Sequence, residues 1–157
     1  MENPNFKPMF TLERLYWPPF TRRRGFDEDR WVTVWKPYDA RPQSTGIPLI
    51  ESVVTRLHDG KDATEVAVEY GISEDELATV LRVFTGMKTL ELQRRWRLRM
   101  ADDLLRYTSL RMDEVAKRCG YYSGSSMSRS ILKYTGQKPT RRRIALRQQG
   151  DVNKFGL

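Results

Sequence analysis

Glu65-Val66-Ala67-Val68-Glu69-Tyr70-Gly71, followed by Leu77, Leu81 and Gly86, returns later in the chain as Glu114-Val115-Ala116-Lys117-Arg118-Cys119-Gly120, followed by Met127, Ile131 and Gly136. The offset is 49 residues in the first part and 50 in the second, so the extra residue falls in the turn between two helices. Each unit reads as a helix, a sharp glycine turn and a second helix. The alanine is small because the second helix crosses close over it. The glycine stands where the chain turns with a positive φ. This is the helix-turn-helix pattern. One Ala-x3-Gly occurs often by chance, but two at matched spacing joined by one long helix specify an architecture.

The flanking periodicity agrees. Ile47, Ile50, Val53, Val54 and Leu57 fall at helical spacing with Pro48 in the first turn, and Gly60 ends that helix. Lys61–Tyr70 is a short helix stopped by Gly71. Ser73 caps the next, with Glu76 three residues on completing a capping box, and Leu77, Val80, Leu81 and Phe84 point inward. Thr89 to Tyr107 is one long helix, Arg111–Cys119 a short one, Ser123 caps a helix to Tyr134, and Pro139 opens a final basic helix to Gln149. Everything after residue 46 therefore reads as helix. The expected fold is all-α: two helix-turn-helix subdomains joined by a long connector helix, with a short irregular, β-prone N-terminal arm. The expected divisions are an arm at 1–46, the double helix-turn-helix domain at 47–149 and a tail at 150–157.

The arm differs in composition. Residues 1–46 hold six of the eight prolines and three of the four tryptophans. Proline this dense breaks long helices. Trp31-Val32-Thr33-Val34-Trp35 alternates and is β-prone, which predicts one short strand. Arg22-Arg23-Arg24 followed by Asp27-Glu28-Asp29 reads as a charged turn. The arm either packs its aromatics on the helical body, the preferred reading, or binds a partner.

The chain has 157 residues, 28 Lys+Arg against 20 Asp+Glu, and a net charge of +8. The charge divides unevenly: residues 1–46 carry +2, residues 47–87 carry −5 and residues 88–157 carry +11. A strong positive charge points to a polyanion, nucleic acid before a membrane surface. Asp102 and Asp103, beside the basic stretch Gln93–Met100, would be repelled by anionic lipid, so no membrane partner is expected. With 39% hydrophobic residues a compact helical core can form. One cysteine excludes an intrachain disulfide, and one His with one Cys cannot build a metal cluster, so neither metal nor cofactor is expected. No apolar run approaches the roughly 20 residues of a membrane span. The start of the chain lacks a signal-peptide layout. A cytoplasmic, nucleoid-associated protein is expected. Enzyme readings fare badly. His58 reads as a helix C-terminal or surface residue, Cys119 as a small buried apolar residue, and no phosphate-cradling glycine loop or paired-carboxylate motif occurs.

The run Arg97-Leu98-Arg99-Met100-Ala101, Leu104-Leu105, Asp113-Glu114-Val115-Ala116, Cys119-Gly120-Tyr121, Ser128-Arg129, Gly136 and Pro139 resembles the DNA-binding domain of the AraC/XylS family of bacterial transcription regulators. The resemblance covers about residues 47–147 and is more specific in the second unit than in the first. It implies seven helices, with two recognition helices that enter successive major grooves of one duplex. A groove-to-groove step of about 34 Å needs a rigid connector, and the Thr89–Tyr107 helix would be roughly 28 Å long. The 46 residues before this region are far fewer than the family's usual effector domain, so a small-molecule signal is not implied. Thr135 and Arg142 depart from the family's usual aromatic and tyrosine, which predicts looser packing of the last helix.

By the same resemblance, Gly124, Ser125 and Arg129 lie at base-contacting positions. Arg129 can grip guanine O6 and N7 bidentately, whereas serines discriminate poorly and Gly124 brings no contact. The expected base contacts are Gly124, Ser125, Ser128 and Arg129. The expected backbone contacts are Ser123, Ser126, Lys133, Arg94, Arg95, Arg97, Arg141 and Arg143. Trp96, Tyr121, Tyr122 and Tyr134 read as core. The first unit is the anomaly. Its recognition positions hold Glu74, Asp75, Glu76, Ala78, Thr79 and Arg82. Of these, Asp75, Glu76, Thr79 and Arg82 would face either DNA or protein. Carboxylates repel phosphate, though they can accept from cytosine N4 and suit a helix N-terminus. The expected function is sequence-specific binding of double-stranded DNA by a transcriptional regulator. The alternative is an adaptor whose basic half binds nucleic acid without sequence choice, while the arm and acidic unit hold a basic protein surface, such as an RNA polymerase subunit or a second copy's basic half.

Overall fold

The seven helical stretches predicted after residue 46 all form. The computed structural model describes residues 5–157; residues 1–4, where the stretch read for a signal layout begins, lie outside the described residues. In chain order the elements are α1 (Leu12–Leu15), β1 (Arg22–Asp27), β2 (Val32–Pro37), α2 (Pro48–His58), a 3-10 turn (Ala63–Glu65), α3 (Val66–Tyr70), α4 (Glu74–Thr85), α5 (Thr89–Tyr107), α6 (Met112–Cys119), α7 (Gly124–Thr135), α8 (Pro139–Arg147) and β3 (Phe155–Gly156). The helix predicted from Lys61 thus begins as a 3-10 turn, because Asp62 caps it by accepting from the Thr64 N–H.

The internal repeat is structural to the level of single hydrogen bonds. Gly71 and Gly120 both adopt left-handed conformations, with φ of 64° and 88°. Ser73 and Ser123 each close a capping box with the residue three further on, Glu76 and Ser126. Each recognition helix ends on a threonine whose hydroxyl bonds back into the helix. Thr85 Oγ1 donates to the Leu81 carbonyl at 2.7 Å and Thr135 Oγ1 to that of Ile131 at 2.6 Å. Each then accepts the amide of the residue two ahead, Met87 or Gln137. Thr135 is therefore a repeat-equivalent turn residue rather than a gap left by a missing aromatic.

Gly120 does more than turn. It lies back to back with Gly60, the glycine that ends the turn after α2. A Cβ on Gly120 would stand 2.6 Å from the Gly60 carbonyl oxygen, and one on Gly60 2.6 Å from the Arg118 carbonyl oxygen. The two helical units therefore touch backbone to backbone here. The connector α5 supplies the rest of the junction. Leu92, Trp96, Met100, Ala101, Leu104 and Leu105 on it are buried. Its buried Gln93 accepts the Ala63 N–H at 2.7 Å, tying the connector to the start of the first unit.

The arm packs on the connector, as preferred from its composition. Tyr16 and Trp17 meet Trp96 edge to face, with centroids at 5.1 and 5.6 Å. The Tyr16 hydroxyl donates to Asp103 at 2.6 Å. His58 is not a plain surface residue: Trp17 stacks on it at 4.1 Å, and burial pushes its imidazole pKa down. Cys119 is buried, and desolvation pushes its thiol up to about 12, which makes it inert near neutral pH.

Sequence expectations need correction at both ends of the chain. The fold is mostly helical but not all-α, because a three-stranded antiparallel sheet forms with order β2-β1-β3. Arg22-Arg23-Arg24, expected in a charged turn, is strand, paired in the register Arg24↔Trp35. The turn comes later, where Asp27 Oδ1 accepts the amides of Asp29 and Arg30. The second correction is at the C-terminal end: Phe155 and Gly156 form β3, pairing with Arg23 and Arg22, so not every segment beyond residue 46 is helix. A lone hairpin is marginal in water, and Phe20, Tyr38, Tyr107 and Phe155 anchor this one through a run of ring contacts.

The repeat supplies an internal control for the glycine junction. Gly71→Ala, where nothing lies within 4 Å, is expected to cost about 1–2 kcal/mol for the left-handed backbone alone. Gly120→Ala is expected to cost at least about 1–3 kcal/mol more, the usual penalty for forcing extra atoms into a packed site. Urea unfolding of the two variants measures the difference. Equal losses would show that the Gly60–Gly120 contact is not constraining.

Candidate nucleic-acid interface

The capping box at Ser123 starts α7 with its first turn facing outward. Ser125 and Arg129 are exposed, and Gly124 and Ser128 are half-buried. Met127 and Ile131 anchor the opposite side in the core. Among the described residues Arg129 forms no ion pair, so its guanidinium is available. The Ser126 hydroxyl donates to the Ser123 carbonyl and accepts the Ser123 amide, so both serines serve the cap. A side chain at position 124 would meet Asp113 Cα at 3.8 Å, an ordinary contact, so packing does not demand glycine there. Lys133 is exposed beside Tyr134. Tyr134 is also exposed and Tyr122 is completely so, which overturns their expected place in the core; Trp96 is buried as expected. Tyr121 is half-buried, and desolvation pushes its hydroxyl up to about 12.

The arginines predicted as a single set divide by what holds them. On α5, Arg94 lies over the Tyr134 ring at 4.1 Å and joins connector to α7. Arg97 lies over Tyr121 at 5.8 Å. Arg95 pairs with Glu91 at 2.9 Å on an exposed face, a contact worth little in solvent. On α8, Arg142 reaches back to α5 and donates to both Asp102 oxygens, at 3.0 and 2.8 Å. This bidentate pair fixes the helix where looser packing was expected. Arg143 Nε donates to the Leu105 carbonyl, and Arg147 to those of Arg106 and Thr108. These cations sit on the negative end of the connector helix. Arg106 returns the favour at the end of α8, donating to Gln149 and to the Gly150 carbonyl. Arg141 alone of the Arg141-Arg142-Arg143 run is fully exposed. These cross-helix anchors were not visible in the sequence, because partners about 40 residues apart leave no local pattern.

On α4, Asp75, Glu76, Thr79 and Arg82 are all exposed, with Glu74 beside them. Glu76 bonds only within its cap, accepting the Ser73 amide. All three carboxylates are exposed and form a solvated acidic face.

Residues 57–144, more than half of the chain, match the family described as "Helix-turn-helix domain". The chain belongs to the AraC-type helix-turn-helix family. This is a family of DNA-binding transcription regulators rather than of enzymes. The chain is similar to the HTH-type transcriptional activator RhaR of Cronobacter sakazakii, 33% identical over 78 residues that make up 50% of this chain and 28% of that protein. It thus spans well under a third of that relative's length. Its fold is similar to the DNA-binding domain of AdpA, a global transcriptional factor whose structure was solved in complex with a target DNA. That likeness has a TM-score of 0.57 and 28% identity, and covers 65% of this chain and 95% of that one. The C-terminal domain of AraT, a response regulator from Geobacillus stearothermophilus, shares the AraC-type fold at a TM-score of 0.57 and 23% identity, over 65% of this chain and 88% of that one. Among the described residues no helix is long and apolar enough to cross a membrane.

The division of the arginines has a measurable consequence. Arg142→Ala is expected to lower stability by about 1 kcal/mol, as for a half-exposed but bidentate pair, and to leave the salt slope of DNA binding unchanged. Arg141→Ala is expected to leave the melting temperature alone and make that slope shallower by about 0.9, one phosphate contact. Thermal melts and salt titrations of both variants separate anchor from clamp.

Proposed function

We infer that this chain is a sequence-specific binder of double-stranded DNA acting in transcriptional regulation, with its main contact through the second helix-turn-helix. The observation that carries this is the exposed, unpaired Arg129 on a helix whose first turns are lined by Gly124 and small serines. The crystallised complex of the related AdpA domain with its target DNA supports the same use of the fold. In this reading Arg129 reads guanine, while Ser125 and Ser128 add weak base contacts and Gly124 gives clearance. Ser123, Ser126 and Lys133 lie along the flanking phosphates, with Arg94, Arg95 and Arg97 on the connector side. Arg141 is the backbone contact from α8. Arg143 could join it only by giving up its bond to Leu105.

A second reading holds for the first unit. Its exposed carboxylates on α4, together with the exposed Val68 and Tyr70 on α3, favour a basic protein surface over phosphate. An RNA polymerase subunit or the basic half of a second copy has the required charge.

Two substitutions test these assignments. Arg129→Ala is expected to cost about 1–3 kcal/mol on the preferred site and little on random duplex, relaxing preference at one position. Selection from random DNA followed by competition measures it, and a uniform loss on all sequences removes Arg129 from the base-reading role. Asp75→Gln with Glu76→Gln keeps the capping box, since glutamine serves at that position. If α4 faces phosphate, affinity should rise several-fold as two repulsions vanish. Unchanged DNA affinity with loss of a protein contact supports the docking role instead.

A further inference from the structure

The β1–β2 hairpin lies outside the helical repeat, and its charge is arranged by face. Alternation along β1 puts Arg22 and Arg24 on one side and Arg23 on the other. Trp35, the register partner of Arg24, shares the side of Arg22 and Arg24. Both guanidiniums lie over the Trp35 ring, 4.4 and 4.6 Å from its centroid. An arginine stacked on an aromatic face is ordered while its N–H edge stays open to an acceptor. Among the described residues neither forms an ion pair. The nearest strand carboxylate, Asp27, is engaged by Arg30 at 2.9 Å.

This face borders a recess of about 300 Å³ whose wall includes Arg22, Arg24, Trp35, Thr108, Ser109 and Arg147. No Asp or Glu side chain lines it. Leu157, the last residue of the sequence, also lines it. A cation-rich recess with hydroxyl edges and no acidic side chain suits a phosphate oxygen. Thr108 to Leu110 is the loop leading from α5 into α6, the first helix of the second unit, so the recess opens beside the unit that reads DNA in the preceding section.

We propose that the hairpin is a second DNA-backbone contact, in which Arg22 and Arg24, ordered on Trp35, hold phosphates of the duplex flanking the stretch read by α7. This rests on the DNA-binding reading above. It extends the footprint beyond the second helix-turn-helix unit and gives the arm a role in affinity without a role in sequence choice.

The test uses the full chain and a duplex selected from a random pool, titrated between 50 and 150 mM salt. Arg22→Gln with Arg24→Gln should make the slope of log K against log salt shallower by about 1.8, which is about a sevenfold difference in affinity change across that range. Arg22→Lys with Arg24→Lys should keep the slope. Arg23→Gln, on the opposite face, should change it little. Independently of any variant, removing the flanking duplex on the hairpin side should make the wild-type slope shallower by a similar amount. An unchanged slope in either the glutamine variant or the shortened duplex overturns the proposal, as does an equal change from Arg23→Gln. If the wild type selects no duplex at all, the DNA-binding reading itself fails, an outcome distinct from selection with a slope that ignores the hairpin.

Discussion

Two glycines packed back to back set how the two halves of this protein sit. Gly60 and Gly120 approach so closely that a methyl group on either would meet a backbone carbonyl at 2.6 Å. A side-chain contact can relax by a rotamer change, but a backbone-to-backbone contact has no such freedom. The orientation of the second unit on the first is therefore decided by chain geometry at this point, and α5 holds the remaining distance as a single rigid helix. Fixing this junction also fixes the separation of α4 and α7. Here the separation depends on two residues with no side chain and on Gln93, which pins the connector to the first unit through the Ala63 amide.

Charge follows from this frame. The second half of the chain is strongly basic, yet much of that charge is turned inward to hold helices. Arg142 grips Asp102, while Arg143 and Arg147 satisfy carbonyls at the end of α5 that would otherwise be bare. Arg106 does the same for α8. Net charge thus overstates the electrostatic footprint. Among the described residues the arginines without an ion pair include Arg129 and Arg141 on the helices and Arg22 and Arg24 on the hairpin. The exposed acidic face of α4 then reads as a real asymmetry between the units, because no internal pairing neutralises it.

The helical repeat was legible in the sequence because helix-turn-helix structure is local. Capping serines, left-handed glycines and buried apolar positions lie within a few residues of one another, and each leaves a periodic mark. Even the matching roles of Thr85 and Thr135 leave a mark, their offset of 50. What could not be read depends on distant pairing. Strand β1 looked like a charged turn because three consecutive arginines carry no alternation; it becomes a strand only through Trp35 on one side and Gly156 on the other. Likewise Arg142 departs from the family's pattern in sequence, and only Asp102 across the helix pair explains it. Tyr122 was assigned to the core by residue type, but it sits in the turn before Ser123, where chain direction leaves the ring in solvent.

The arm and the connector then prove to be one unit in energetic terms. Trp96 is fully buried, yet a single connector helix between two small helical units has too little protein around it to cover an indole on every side. Tyr16 and Trp17 supply that cover. Trp17 extends it to His58 at the end of α2, and Phe20 carries it to Tyr107 at the far end of α5. Aromatic rings bury the most area per residue, and edge-to-face contacts add to that burial. Pro18 and Pro19 stop α1 from continuing, so that Tyr16, Trp17 and Phe20 follow one another along the connector. The same path delivers the chain to β1, where the hairpin borders the loop between α5 and α6. Rigidity of the connector and placement of Arg22 and Arg24 are therefore consequences of one strip of aromatic packing, and a change that loosens the strip should weaken both together.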